Sequence, residues 1–491
     1  MENAIEHSKA FRLRRFLNWF PLGLSYAFLY MGRYNLTVSK MALGKVMSKE
    51  DFGIIFGAGT ITYALSFLIN GPLTDKIGGK KGMMIGIGGA AIMNIAMGIY
   101  ISTFDVANAG QHNLRLVFAI LYSLNMYFQS YGALSIVKVN SSWFHINERG
   151  GFGGIFGTMI SSGIFFAFTV NAWLLGMLVE PGTTDLGMTK WVFFAPAILL
   201  LIMFVVEFFL LKDCPAQAGL EDFDTCDASS GEEGVDVPIL TIMKRVITNP
   251  IILTIALIEF CTGILRNGVM HWFPIYGKEI LQLPENSWLR HGSWEHIYVI
   301  IGLFIVAVIF FILASKASGK RKVWLYISGG LMFLAPFMMG GWGGILMVAG
   351  VIGGNLAGWV SDMIFQSRRA PTAGGLYFIM IFAVILMYFS LDNPLLLGVS
   401  VFIISLCVIG THGMLSGTAT MDFGGRKGAA TAVGMIDGFV YLGTGVQSFA
   451  LGYITSTNWN WWPLFLLPFA VIGFLLSLKI WNSKPGQNTA H

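Results

Sequence analysis

Stretches of about twenty apolar residues recur along the whole chain, and a chain built this way can bury what it carries only by crossing a bilayer repeatedly. They fall at about 19–41, 52–73, 82–103, 114–139, 150–178 and 191–211, then 250–276, 294–313, 323–339, 342–360, 374–391, 395–414, 429–454 and 461–480. Of the 491 residues 55% are hydrophobic and only 12% charged, which excludes a soluble domain of this size. Sixty glycines suit close helix packing in lipid. The net charge of +5 is no nucleic-acid signal, because the basic residues cluster beside apolar segments. Lys9, Arg12, Arg14 and Arg15 precede the first span, which is too long for a signal-peptide core. The positive-inside rule places this segment and both termini in the cytoplasm of a plasma membrane, here read as a bacterial inner membrane. Cys214, Cys226, Cys261 and Cys407 show neither metal spacing nor a disulfide pattern, and no cofactor is expected.

Two arginines stand inside apolar spans. Arg33 lies in YAFLYMGRYNLT and Arg266 in ILRNGVMHW. An arginine at a bilayer centre costs roughly 2.5–3.5 kcal/mol on insertion scales, so it marks a task rather than a solvated face. Tyr26, Tyr30, Arg33 and Thr37 are spaced 4, 3 and 4 and form one polar stripe of a helix. The plainer reading, that each arginine snorkels to an interface or locks two helices, weighs less for a mid-span position.

Residues 71–81 read GPLTDKIGGKK, and a weaker copy starts at Gly358 as GWVSD, followed by Arg368 and Arg369. Asp75, Lys76, Asp362 and Arg368 form a candidate latch at the inner helix ends, where a carboxylate such as Asp75 accepts hydrogen bonds and pairs with basic residues. The copies divide the chain into a six-helix half (1–212), a polar cytoplasmic linker (213–248) and a second half (249–491). A further echo joins Arg149-Gly150-Gly151 to the stretch after Arg426. Arg33 and Gly71 are 38 residues apart, whereas Arg266 and Gly358 are 92 apart, an excess of 54. That excess equals two spans of about 20 residues with their turns. It is expected to form a peripheral hairpin at about 287–340 with the basic turn Lys316 to Lys322 inside. The fold class is therefore an all-α polytopic membrane protein of fourteen helices.

The GPLTDKIGGKK loop resembles the signature of the major facilitator superfamily, with Gly79 where a basic residue is usual. The tyrosines before Arg33, the phrase LRNGVMHWFPIYGKE, KDCPAQAGLED, and GGRKGAATAVGMIDGFVYLG resemble its organophosphate:phosphate antiporter family. The resemblance implies the major facilitator fold and exchange of a phosphorylated metabolite, such as glycerol phosphate or a hexose phosphate, for inorganic phosphate. Arg33 and Arg266 would bind the phosphate, with Tyr441 a cavity tyrosine. The chain departs from glycerol-phosphate members at Phe67, Ile160 and Gly263, where they carry a lysine, a histidine and a tyrosine. The phosphate clamp is kept, but the groups reading the rest of the substrate are not.

The chemistry of the residues agrees. A phosphomonoester carries about 1.5–2 negative charges and three acceptor oxygens, which planar guanidinium forks grip bidentately. Tyr26, Tyr30, Tyr63, Gln129, His271, His412 and Tyr441 are further substrate-binding candidates. Ser66, Asn70, Asn125, Thr444 and Ser448 belong equally to helix packing. Glu259 and Asp437 are candidates for proton coupling, which keeps a proton-coupled organic-anion symporter open as an alternative. A membrane sugar-phosphate sensor is a third. With no P-loop and no nucleophile or metal constellation, enzyme activity is not expected. The expected partners are the phosphorylated substrate, inorganic phosphate and the lipid bilayer, for a monomer that binds no nucleic acid.

Overall fold

The computed structural model describes residues 7–104, 113–145, 148–178, 186–225, 247–282, 297–365 and 368–482, with positions 241 and 244. Much of the linker expected at 213–248, and the start of the expected hairpin, lie outside these residues. So do the side chains of Arg149 and Arg426.

Fourteen long helices follow one another: α1 (Lys9–Leu43), α2 (Lys49–Ile77), α3 (Gly79–Ser102), α4 (Leu114–Ser141), α5 (Arg149–Phe165), α6 (Trp191–Leu210) and α7 (Pro250–Met270), then α8 (Ile297–Lys316), α9 (Gly319–Met338), α10 (Gly341–Met363), α11 (Arg369–Phe389), α12 (Pro394–His412), α13 (Thr420–Thr457) and α14 (Trp461–Lys479). A π-helical stretch, Phe166–Val170, carries α5 into Asn171–Leu178. α7 breaks at His271 and resumes as Trp272–Glu279.

The local chemistry explains the starts. Ser48 and Asp51 form a reciprocal capping box on α2. Asn249 and Asn393 cap α7 and α12, each followed by a proline whose missing N–H costs nothing at a helix start. Among the described residues eleven helices are long and apolar enough to cross a membrane. α1 and α4 fall short because they carry buried tyrosines, asparagines and Arg33 or Gln129. α9 falls short because Lys320, Arg321 and Lys322 open it.

Two long seams join the halves, α2 on α13 and α5 on α10. Backbones meet directly in the first: a Cβ at Gly434 would stand 2.4 Å from the Phe67 carbonyl oxygen. Within the second half, a Cβ at Gly263 would lie 1.9 Å from the Val440 carbonyl oxygen. A tyrosine cannot occupy position 263 while α7 and α13 touch.

α8 and α9 form the inserted hairpin. α8 packs on α9, and α9 rests on α10 and on Phe165 of α5 through Phe337. Protein covers little of α8, and exposed apolar residues such as Ile301, Ile305 and Ile312 dominate it, as suits a helix set against lipid.

One boundary differs from expectation. The turn expected between the spans at 395–414 and 429–454 is occupied by a π-helical stretch, Gly413–Ala419, leading straight into α13. Thr420 returns its hydroxyl to the Ser416 carbonyl there, so the helical backbone keeps a partner across the irregular turn.

Candidate functional site

α1 and α7 face each other at the middle of the molecule, and each brings its arginine to the same place. Arg33 is fully buried, and every nitrogen of its fork has a neutral partner. Nε donates to Gln129 Oε1 at 2.8 Å, Nη1 to the Tyr441 hydroxyl at 2.8 Å and Nη2 to the Tyr63 hydroxyl at 2.6 Å. Its guanidinium carbon stands 4.5 Å from the ring centres of Tyr30 and Tyr63. Arg266, 4% exposed, donates from Nη2 to the Tyr30 hydroxyl at 2.8 Å, with Tyr34 at 3.5 Å. Its Nε and Nη1 are buried without a partner. Tyr30 thus joins the halves, its ring face against Arg33 and its hydroxyl on Arg266. Among the described residues neither arginine has a carboxylate within ion-pair distance.

Hydrogen bonds reaching back through the first half set the position of Arg33. Gln129 Nε2 donates to Asn125 Oδ1 at 3.1 Å, and Asn125 Nδ2 donates to the Gly32 carbonyl at 3.1 Å. Asn94 and Asn35 extend the network. Tyr122 donates to the Arg33 carbonyl at 3.0 Å. Tyr26 packs edge-on against Tyr30 and stacks on Phe156.

The remaining candidates are divided among three places. His271 bridges the halves, with Nδ1 2.6 Å from Thr37 Oγ1 and Nε2 3.2 Å from Asn267 Oδ1. His412 Nδ1 lies 2.8 Å from Glu259 Oε2. Asp437 accepts from the Ser416 hydroxyl at 2.5 Å. Glu259, on the sequence face of Arg266, is therefore turned to α12 instead.

Asp75 crosses from α2 to α13, accepting from the Thr431 amide at 2.9 Å and its hydroxyl at 2.7 Å, while Lys138 of α4 stands 2.8 Å away. Lys76 is exposed. The second copy stays within its half. Arg369, not Arg368, meets Asp362 at 2.8 Å, because Arg368 precedes α11 and turns its Nε to the Phe365 carbonyl. At the opposite end of the molecule Lys49 pairs with Glu279 at 3.0 Å, and Lys278 donates to the Met41 carbonyl at 2.6 Å. Both ends are closed over the arginines.

Tyr34 and Tyr122 were the residues missed. Tyr34 extends the series Tyr26, Tyr30 at the same spacing of four, and Tyr122 precedes Asn125 and Gln129 at spacings of three and four. Both signals were present in the sequence.

Residues 22–345 match the Major Facilitator Superfamily. The chain belongs to that superfamily, a family of transporters rather than enzymes. It is 25% identical over 494 residues to a glycerol-3-phosphate transporter of Bacillus subtilis, covering 98% of this chain and 95% of the relative. It is 24% identical over 478 residues to the membrane sensor protein UhpC of Escherichia coli, covering 94% and 91%. The crystal structure of the Escherichia coli fucose:proton symporter FucP superposes with a TM-score of 0.52 at 13% identity, covering 95% of this chain and 98% of that one, and shares the fold.

Proposed function

We propose that this protein exchanges a phosphorylated small metabolite, of the class that includes glycerol phosphate and hexose phosphates, for inorganic phosphate by alternating access. One observation carries the reading: two buried arginines from opposite halves converge on Tyr30 without a carboxylate, and Arg266 keeps two unpartnered donors. A dianion with three acceptor oxygens matches that donor set. Similarity to a glycerol-3-phosphate transporter supports it. Residues 1–212 and 249–491 would rock as two halves about the site in a monomer, joined by the linker. Counterflow of labelled phosphate in proteoliposomes tests the function. Its absence despite phosphate binding would favour a sensor, the role named for the UhpC relative.

Buried Glu259 with His412, and Asp437 with Ser416, favour proton-coupled symport as the second reading. Glu259→Gln separates the two, because only symport loses its drive from a pH gradient.

The closed ends act as gates in this reading. Asp75→Asn removes the charge that pairs with Lys138 and keeps the side chain's shape. It is expected to slow exchange about 5- to 10-fold with little change in phosphate affinity. An equal fall in affinity would place Asp75 in the site rather than at the gate.

The orientation follows the basic turns, with both termini and the turn Lys316 to Lys322 in the cytoplasm of the inner membrane. A cysteine at Lys320 in intact cells should resist an impermeant reagent and react after permeabilisation. Ready labelling from outside would reverse the topology.

A further inference from the structure

The inserted hairpin stands apart from the arginine site, and its charges are gathered at one end. α8 closes on Lys316, and α9 opens with Lys320, Arg321 and Lys322 after a turn at Gly319, whose φ of 59° is left-handed. All four cations are exposed. Among the described residues none of them has an ion pair or a side-chain hydrogen bond. The sequence has no acidic residue between Glu295 and Asp362, and Asp362 already meets Arg369.

This placement works against the helix. The start of a helix is the positive end of its dipole, where carboxylates are favoured and cations are not. No side chain caps α9, so its first amides lack that partner as well. The protein itself supplies no anion to offset these charges, and one from outside would turn their repulsion into attraction.

Position says which anion. The 20 residues of α8 make about 30 Å of helix, the thickness of a bilayer's hydrocarbon core. A hairpin of that length set against lipid carries its turn to the headgroups. Trp324 and Tyr326, both exposed, follow about one turn deeper, where aromatic side chains mark the membrane interface. A phospholipid alone brings a phosphate to the cations and hydrocarbon to the exposed apolar faces below them.

We propose that this turn is a docking surface for anionic phospholipid, with a phosphodiester headgroup seated on Lys316, Lys320, Arg321 and Lys322 and acyl chains along α8 and α9. The proposal is independent of the phosphate-exchange reading and gives the insertion a task. α9 rests on α10 and, through Phe337, on Phe165 of α5, so a lipid held here borders a seam between the halves.

The full chain in neutral detergent is titrated with short-chain phosphatidylglycerol or phosphatidylcholine and followed by thermal shift, with and without millimolar inorganic phosphate. Each cation beside an anionic headgroup contributes roughly 5-fold to binding. Phosphatidylglycerol is therefore expected to act at a concentration at least ~10-fold below that of phosphatidylcholine, and high salt to erode the difference. Lys320→Gln with Arg321→Gln should remove most of the preference, as should Lys316→Gln with Lys322→Gln, while the response to phosphatidylcholine stays as in the unaltered chain. Equal midpoints for the two lipids in the unaltered chain, or a preference that either double variant keeps in full, would overturn the proposal. A preference abolished by inorganic phosphate would also overturn it, by assigning the surface to a free anion.

Discussion

Replacing Arg33 or Arg266 by lysine is expected to reduce phosphate exchange by on the order of 100-fold while the protein still inserts and folds. Lysine keeps the positive charge, so a role limited to charge would survive. What it loses is geometry. In the first half three separately placed nitrogens meet Gln129, Tyr441 and Tyr63 at 2.6–2.8 Å, and a single ammonium on a flexible stem cannot reproduce that planar array. In the second half Arg266 keeps Nε and Nη1 without partners on either side of the Nη2 that Tyr30 holds, and a lysine ammonium would leave both positions empty. A hydrogen bond to a charged group contributes about 1.5–3 kcal/mol, which for one lost bond is roughly 10- to 100-fold. The measurement is exchange in proteoliposomes at matched protein density, with binding followed by thermal shift. Near wild-type exchange in both variants would remove the arginines from the substrate site.

The helices were legible because lipid imposes a length. The fourteen apolar stretches correspond to fourteen helices, including the hairpin deduced from the unequal intervals after Arg33 and Arg266. Boundaries were less legible where backbone irregularity intervened. The break of α7 at His271 is foreshadowed by Pro274, which lacks the N–H that would bond the Met270 carbonyl, but the π-helical join between α12 and α13 has no proline to announce it.

Within the site, the arginines stood out because a charge in an apolar span has few structural uses. Tyr30, Tyr63, Gln129 and Tyr441 were candidates as well, but which group meets which was not legible, because contacts between distant helices leave no spacing. Tyr441 on Arg33, Thr37 on His271 and Glu259 on His412 are separated by 408, 234 and 153 residues. Glu259 is instructive: helical periodicity placed it on the face of Arg266, but a facing histidine on α12 takes it away. Gly263 was legible only as a departure. Its reason, the Val440 carbonyl against α7, is a packing fact that a lone sequence does not record.

Exchange is expected to be obligatory rather than proton-driven. The closed arrangement buries two guanidiniums among neutral tyrosines and a glutamine, and charges removed from water need compensation to be stable there. A phosphate dianion supplies it from whichever side it arrives, and a ligand favours closure only by binding the closed state better. Return of the carrier without an anion is therefore expected to be the slow step. The buried Glu259–His412 and Ser416–Asp437 pairs are the groups through which a proton would have to act instead. The decisive measurement is uptake of labelled phosphate by proteoliposomes with and without phosphate inside. Phosphate-loaded vesicles should take up label at least ~10-fold faster than empty ones, and an imposed pH gradient should drive no accumulation in the empty ones. Equal rates in the two, or pH-driven accumulation in empty vesicles that Glu259→Gln abolishes, would contradict the exchange mechanism.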